Sequence, residues 1–312
     1  MNAPAAEAML ATPAVPVAPD VAASAAAPQL LLGLIGAGIQ QSLTPAMQQR
    51  EAAAQGLRAH YQLIDLDRAG VGPEALPGLI QAARTMGFAG LNITYPCKQA
   101  VIPLLDALSD EARAMGAVNT VVFQAGKAIG HNTDGSGWAW GFRQALPGAD
   151  LARVVLLGTG GAGSAIAHAL LRLGAQRLML VDTDPARAQA LAHSLNAGYG
   201  AGRVSAGTDA AAVVPGATGL VHATPTGMAK LPGLPLDAAL LRPDLWVAEV
   251  VYFPLETALL RAARAAGCPV SDGGGMAVGQ AVGAFAHFTG RQADPARMRA
   301  HFLQMVAARG AA

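Results

Sequence analysis

Residues 153–182 read RVVLLGTGGAGSAIAHALLRLGAQRLMLVD, and their order decides the fold. The apolar run 153–157 has strand length and leads into Gly158-Thr159-Gly160-Gly161-Ala162-Gly163. An apolar helix is expected over 165–173 and a second strand over 177–181, ending in Asp182. A G-x-G-x-x-G match on its own is weak, but a preceding strand and a following helix are the context it requires. Gly158 allows a tight turn, Gly160 lets a pyrophosphate approach the backbone, and Gly163 lets helix and strand pack closely. Gly161 and Ala162 complete the loop at the positive helix N-terminus, which attracts the phosphates. Asp182 lies 19 residues beyond Gly163. An acid there accepts hydrogen bonds from ribose hydroxyls and repels a 2′-phosphate, so the expected cofactor is NAD rather than NADP. The plainer alternative is a glycine turn in an ordinary α/β protein, with Asp182 opening an Asp-Thr-Asp-Pro helix cap.

Upstream, strands are expected over 30–35, 59–66 and 88–94, and helices over 46–55, 73–86 and 98–108. A hairpin turning at Ala125-Gly126 is expected to join 118–123 to 127–131. This strand–helix rhythm predicts a largely parallel sheet. Downstream, helices are expected over 135–144 and 185–196, strands over 219–223 and 245–251, and helices over 273–288 and 295–309. The expected architecture is α/β: two α/β domains with a cleft between them, the second a Rossmann-type dinucleotide-binding domain. Residues 28–133, completed by the helices of 275–312, form the substrate-binding, catalytic domain, and 134–274 form the NAD domain.

Composition narrows the function. The chain has 312 residues and a formal charge of +1, which argues against nucleic acid and anionic membranes as partners. Cys97 and Cys268 are too few for a disulfide scaffold or a cysteine zinc cluster, and no metal is expected. The uncharged stretch 154–171 is long enough to span a membrane, but four glycines interrupt it, and strand, turn and helix explain it better. Residues 1–27 are rich in Ala and Pro, lack a cationic start, and are expected to be a disordered extension rather than a signal peptide. The expected compartment is the cytoplasm.

Polar residues gather in three places: Ser42-Leu43-Thr44-Pro45, Asn92 through Lys98, and Asn119 with Asn132-Thr133-Asp134. Each follows a predicted strand end, where open α/β sheets bind ligands. Hydroxyls, amides, one ammonium and one carboxylate suit a small, acidic, polyhydroxylated ligand. The chain has three lysines, at 98, 127 and 230. Lysine, unlike arginine, releases its proton when its surroundings lower its pKa. Each residue also has a plainer role: helix capping for Ser42, Thr44 and Asp134, turn formation for Asn119 and Asn132, and a solvated helix start for Lys98.

Together these motifs resemble the shikimate dehydrogenase family over residues 31–312. The matching segments are Gly36–Pro45, Asn92-Ile93-Thr94-Tyr95-Pro96-Cys97-Lys98, Gly116–Thr120, Asn132-Thr133-Asp134-Gly135, Ala223–Met228 and Gly275–Ala281. The resemblance implies that Ser42 and Thr44 hold the substrate carboxylate, and that Asn92, Thr94, Asn119 and Gln280 bind ring hydroxyls. It makes Lys98 and Asp134 the catalytic pair, with Tyr252 lining the site. Thr224, Pro225, Gly227, Met228, Val250, Gly275 and Met276 lie on the nicotinamide side. The chain departs from the family at Thr44, usually Ser, at Gln48, usually His, and at Asp182, near which NADP-linked members carry Arg. Thr44 with Asp182 resembles the NAD-linked quinate/shikimate branch. The implied reaction is reversible oxidation of the C3 hydroxyl of quinate or shikimate by NAD. The rivals are an NADP-linked shikimate dehydrogenase of aromatic amino-acid biosynthesis, a dehydrogenase for another small polyol acid, and a non-catalytic NAD-binding regulator. The expected partner is the small-molecule substrate, and a homodimer is compatible with the sequence.

Overall fold

The computed structural model describes residues 28–310 of the chain, so the expected 1–27 extension lies outside the described residues. The first half runs β1 (Gln29–Gly36), α1 (Thr44–Ala54), β2 (Arg58–Asp65), α2 (Leu66–Ala69), α3 (Leu76–Thr85), β3 (Gly90–Ile93) and α4 (Cys97–Ala100). It continues through β4 (Ala107–Leu108), α5 (Asp110–Met115), β5 (Thr120–Gln124), β6 (Lys127–His131) and α6 (Asp134–Ala145). The second half holds β7 (Arg153–Leu157), α7 (Gly161–Arg172), β8 (Arg177–Val181), α8 (Pro185–Tyr199), β9 (Val204–Gly207), α9 (Ala210–Val213), β10 (Gly219–His222) and β11 (Trp246–Glu249). It ends with α10 (Ala258–Ala265), β12 (Val270–Ser271), α11 (Gly274–Thr289) and α12 (Pro295–Gly310).

These strands make two six-stranded sheets. The second has the order β12-β11-β10-β7-β8-β9, with every pairing parallel. This is the doubly wound order, and its direction reverses between β7 and β10. Strand β7 alternates across the sheet: Val154 and Leu156 face one apolar cluster, Val155 and Leu157 the other. Both faces are covered, so the strand reads as an unbroken apolar run.

The first sheet has the order β2-β1-β3-β5-β6-β4; three of its five pairings are parallel, and the two antiparallel ones flank β5, which forms the expected hairpin with β6. Strands β1, β2 and β3 are parallel, but β5 runs antiparallel to both β3 and β6. The cause is local: Ala125 and Gly126 both take positive φ, 49° and 76°, in a two-residue turn that reverses the chain. The helix expected over 98–108 is corrected. It breaks after α4, passes through a single 3-10 turn at Ile102–Leu104, and enters β4. Pro103, without an N–H, cannot continue an α-helical ladder.

Helices α6 and α11 cross antiparallel between the two sheets, backbone against backbone. Gly137 meets Gly279 and Gln280, and Gly141 meets Gly275. A Cβ on Gly141 would sit 2.6 Å from the carbonyl carbon of Gly275, closer than real Cβ atoms approach. Around this crossing, Trp138 and Phe142 of α6 pack with Ile166 and Leu170 of α7, while Val278 and Phe285 of α11 pack with Met298 and Phe302 of α12. Arg297 of α12 pairs with the buried Glu51 of α1 at 2.7 Å and so fastens the C-terminal helix to the first half. Among the described residues, no helix is long and apolar enough to cross a membrane.

His131 on β6 stacks on His287 of α11, with ring centroids 3.9 Å apart. Burial, then the charge of His287, pull the His131 pKa down to about 4. The unfolded chain binds this proton at about pH 6.5 and the folded chain only near 4, so protonation in that window favours unfolding. Stability, followed by urea unfolding, is expected to fall as the pH drops from about 6.5 to 4, with a shallower fall in His131→Phe. Gly137→Ala is expected to destabilise the chain by about 1–3 kcal/mol, because its methyl meets backbone that cannot give way. Gly198→Ala on α8, where a Cβ meets nothing within 4 Å, is the control and is expected to be neutral or stabilising in the same thermal melts.

Candidate active site

Asp134 is the first residue of α6, and Lys98 stands in the first turn of α4, after β3. They are 36 residues apart in sequence, yet Lys98 Nζ donates to Asp134 Oδ2 at 2.6 Å. The Lys98 side chain is 22% exposed and that of Asp134 only 7%, so the ammonium meets solvent while the carboxylate is walled in. The other oxygen, Oδ1, accepts from Asn119 Nδ2 at 2.9 Å, and the Asp134 amide donates to Asn132 Oδ1 at 2.9 Å. The carboxylate is therefore held at both oxygens, and Asn132 holds the backbone behind it. The neighbouring Cys97 is fully buried, and burial pushes its thiol pKa up.

Asn119 is the hub of this network. Its second Nδ2 hydrogen goes to Thr133 Oγ1 at 3.0 Å, and its Oδ1 accepts from the Thr133 amide and the Thr120 hydroxyl, each at 2.9 Å. Asn92 is equally engaged: Nδ2 reaches the Asn119 carbonyl and Thr120 Oγ1, and Oδ1 accepts from Tyr61 at 2.7 Å. To hold a ligand hydroxyl Asn119 must exchange a partner, whereas Asn92 Oδ1, with one donor, keeps a lone pair for it. Gln280 of α11 joins the network through its carbonyl, which accepts from Thr133 Oγ1 at 3.0 Å, while its side-chain amide turns back to Ala277. Thr94 is half-buried at the end of β3.

Ser42 and Thr44 follow β1. Ser42 Oγ accepts from the Thr44 amide at 3.3 Å, but helix α1 has no side-chain hydrogen bond at its N-cap. The Ser42 hydroxyl thus takes a cap-like role on the first amide of α1. The approach to this loop is fixed by Asp65, at the end of β2, which accepts from the amides of Gly38 and Ile39 and from Gln40 Nε2. The sequence reading missed Asp65. The only signal was an acid at a strand end, next to a strand carrying polar candidates. Gln48 is fully buried and donates to the Ala281 carbonyl at 2.9 Å, so it braces α1 against α11.

On the second sheet, Gly158 takes φ +92° at the end of β7. A Cβ there would sit 2.7 Å from the Ala223 carbonyl oxygen, and one on Gly163 would collide with the Gly158 carbonyl. Helix α7 starts at Gly161, four residues before the expected start, so Ala162 and Gly163 already lie in its first turn. Gly160 and Gly161 are exposed with open space above them, and a phosphate can reach the amides of the helix N-terminus. These residues fit a dinucleotide.

Asp182 is buried and accepts five hydrogen bonds: from the Thr159 amide and hydroxyl, the Asp184 amide, and two from Arg187 at 2.6 and 3.4 Å. Burial works to raise its pKa, but these donors outweigh that and hold the carboxyl well below the usual range. The helix cap belongs to Asp184, whose side chain accepts from the Arg187 amide. Arg187 was missed because its role is a contact rather than a pattern. Its side chain is 50% exposed beside Asp182. Thr224, Pro225, Gly227 and Met228 form the loop after β10, while Val250 and Tyr252 follow β11. Gly275 and Met276 open α11, with Gly275 against Gly141 and Met276 against the apolar cluster of Trp138 and Phe142. Tyr252 is partly exposed, its ring 6.2 Å from Phe302.

The comparisons agree with this geometry. A family model described as the shikimate dehydrogenase substrate binding domain matches residues 34–121. A shikimate dehydrogenase (NADP(+)) of Streptomyces avermitilis is 60% identical over 88% of this chain and 95% of its own. A quinate/shikimate dehydrogenase (NAD(+)) of Corynebacterium efficiens is 49% identical over 88% of this chain and 98% of its own. The solved quinate dehydrogenase of Corynebacterium glutamicum in complex with NAD superposes with a TM-score of 0.84 at 48% identity, covering 88% of this chain and 99% of that one. The fold, the paired Lys98 and Asp134 and these likenesses converge: the chain belongs to the shikimate dehydrogenase family of nicotinamide-dependent oxidoreductases.

Proposed function

We propose that the chain is an NAD-dependent oxidoreductase that reversibly converts the C3 hydroxyl of quinate or shikimate to the 3-dehydro ketone. The observation that carries the reading is the 2.6 Å Lys98–Asp134 pair, with the ammonium on the open side. Residues 28–133 with 275–312 serve the substrate, and 134–274 the dinucleotide. The free, buried Cys97 and Cys268 suit a reducing cytoplasm.

Oxidising a secondary alcohol removes a hydride from carbon and a proton from oxygen. A bound nicotinamide supplies the hydride acceptor. The Lys98–Asp134 pair takes the proton from the substrate oxygen: Nζ hands a proton to Asp134 Oδ2 across the 2.6 Å contact and accepts the hydroxyl proton in its place. Asp134, fixed by Asn119 and Asn132, keeps Nζ on that oxygen. Ser42 and Thr44 take the substrate carboxylate, and Thr94, Gln280 and Tyr252 border the ring. Asn92 meets a ring hydroxyl through the second lone pair of Oδ1, and Asn119 does so by exchanging an internal partner.

Asp182 supports NAD, because a carboxylate with a strongly favoured charge opposes a 2′-phosphate. A second reading, NADP-linked shikimate oxidation, is favoured by the half-exposed Arg187 guanidinium beside it and by the 60%-identical NADP-linked relative. Absorbance at 340 nm, with quinate or shikimate against NAD or NADP, separates them. Turnover of both acids with NAD is expected, and shikimate turnover with NADP alone would replace the first reading by the second. Asp182→Ser is expected to shift the NAD-to-NADP ratio of kcat/KM toward NADP by roughly tenfold, the effect of about one charged hydrogen bond. Lys98→Ala is expected to lower kcat by roughly 10²- to 10⁴-fold. A variant within about threefold of wild type removes Lys98 from the chemistry.

A further inference from the structure

Strand β10 ends in a histidine that the hydride chemistry does not use. His222 and Glu249 are wholly buried register partners on β10 and β11, with His222 Nδ1 2.8 Å from Glu249 Oε1. The same carboxylate accepts from the Val250 amide at 2.8 Å, the Val251 amide at 3.0 Å and the Thr257 hydroxyl at 2.9 Å. Thr257 in turn caps α10 by accepting from the Leu260 amide. On the far side of the ring, Nε2 faces Thr224 Oγ1, which also accepts from the Thr226 amide at 3.3 Å. The Thr224 methyl leans on the dinucleotide turn: a Cβ on Gly158 would lie 2.9 Å from it.

A buried ionisable pair is a poor source of stability, since apolar residues of the same volume do as well or better. What it uniquely supplies is orientation. Glu249 receives three other hydrogen bonds, so its oxygens are acceptors, and the facing His222 Nδ1 is the donor. Nε2 is then left to accept the Thr224 hydroxyl hydrogen. That turns the oxygen lone pairs of Thr224 to the Thr226 amide and fixes the start of the 224–228 loop. The chain of contacts runs from the base of β11 to the first glycine of the dinucleotide turn.

We propose that Glu249 and His222 are positioning residues that act through Thr224 to set the 224–228 loop for dinucleotide binding. This rests on the reading that the loop lies on the nicotinamide side. The first test is ¹⁵N NMR of histidine-labelled, dinucleotide-free full chain, with the His222 signals assigned by their loss in His222→Asn. The Nδ1-protonated tautomer is expected, and a protonated Nε2 would overturn the orientation. The second test is equilibrium binding of the reduced dinucleotide, NADH or NADPH, that wild type binds more tightly, read by its fluorescence. Thr224→Val is expected to weaken binding roughly two- to tenfold, the worth of one net hydrogen bond. The KM for the acid should move less. Thr224→Ser should restore binding, and His222→Asn added to Thr224→Val should lose nothing further. Wild-type affinity in Thr224→Val, or no rescue by serine, would overturn the proposal. The tautomer and the dinucleotide affinity read out without turnover, so a wild type inactive on both acids would defeat the proposed substrates while leaving the relay measurable.

Discussion

The close crossing of α6 and α11 is the constraint on which the rest of the structure depends. Two glycines on each helix let the backbones touch, and no side chain fits between them. Asp134 opens α6 beside the first sheet, and Gly275 and Met276 open α11 beside the second. Because the helices run antiparallel, each element brings residues from one half to the other. Gln280 reaches Thr133, and Gly141 reaches Gly275. Wider spacing would part Thr133 and the Lys98–Asp134 pair from Gln280 of α11, with no strand changed.

Electrostatics then divide the labour. The Asp134 carboxylate is shielded and tied by Lys98 and the Asn119 amide, while the Lys98 side chain keeps some exposure to solvent. On the second sheet, the donors Thr159, Asp184 and Arg187 outweigh burial and favour the charged form of Asp182. A carboxylate so heavily engaged acts more as a fixed negative field than as a free acceptor. The exposed guanidinium beside it sets a positive field within a few ångströms.

The second sheet was readable in the sequence where strands are buried on both faces. The runs 153–157 and 177–181 match β7 and β8 residue for residue. The edge strands Val204–Gly207 and Val270–Ser271 were not readable, since VSAG and VS carry no pattern and exist only through their partners. The early start of α7 was hidden because glycine disfavours helix locally, and only the contact of Gly163 with the Gly158 carbonyl makes it necessary. Within the site, the residue types and the resemblance pointed to Lys98 and Asp134. Asp65, Arg187 and Glu249 could not be found that way. Asp65 and Glu249 act on residues some 25 to 27 positions away, and Arg187 acts on an acid whose own role was already filled.

Cys97 adds a last consequence. Thiols near catalytic cations are usually the first casualties of peroxides and alkylating agents, because a positive neighbour favours the reactive thiolate. Here the sulfur sits beneath α4, facing the apolar cluster of Val101 and Val118 instead of the ammonium next to it in sequence. Its proton is held more tightly than in water. The helix turn that sets Lys98 on Asp134 sets Cys97 into the apolar cluster, so the thiol next to the pair in sequence is kept from solvent.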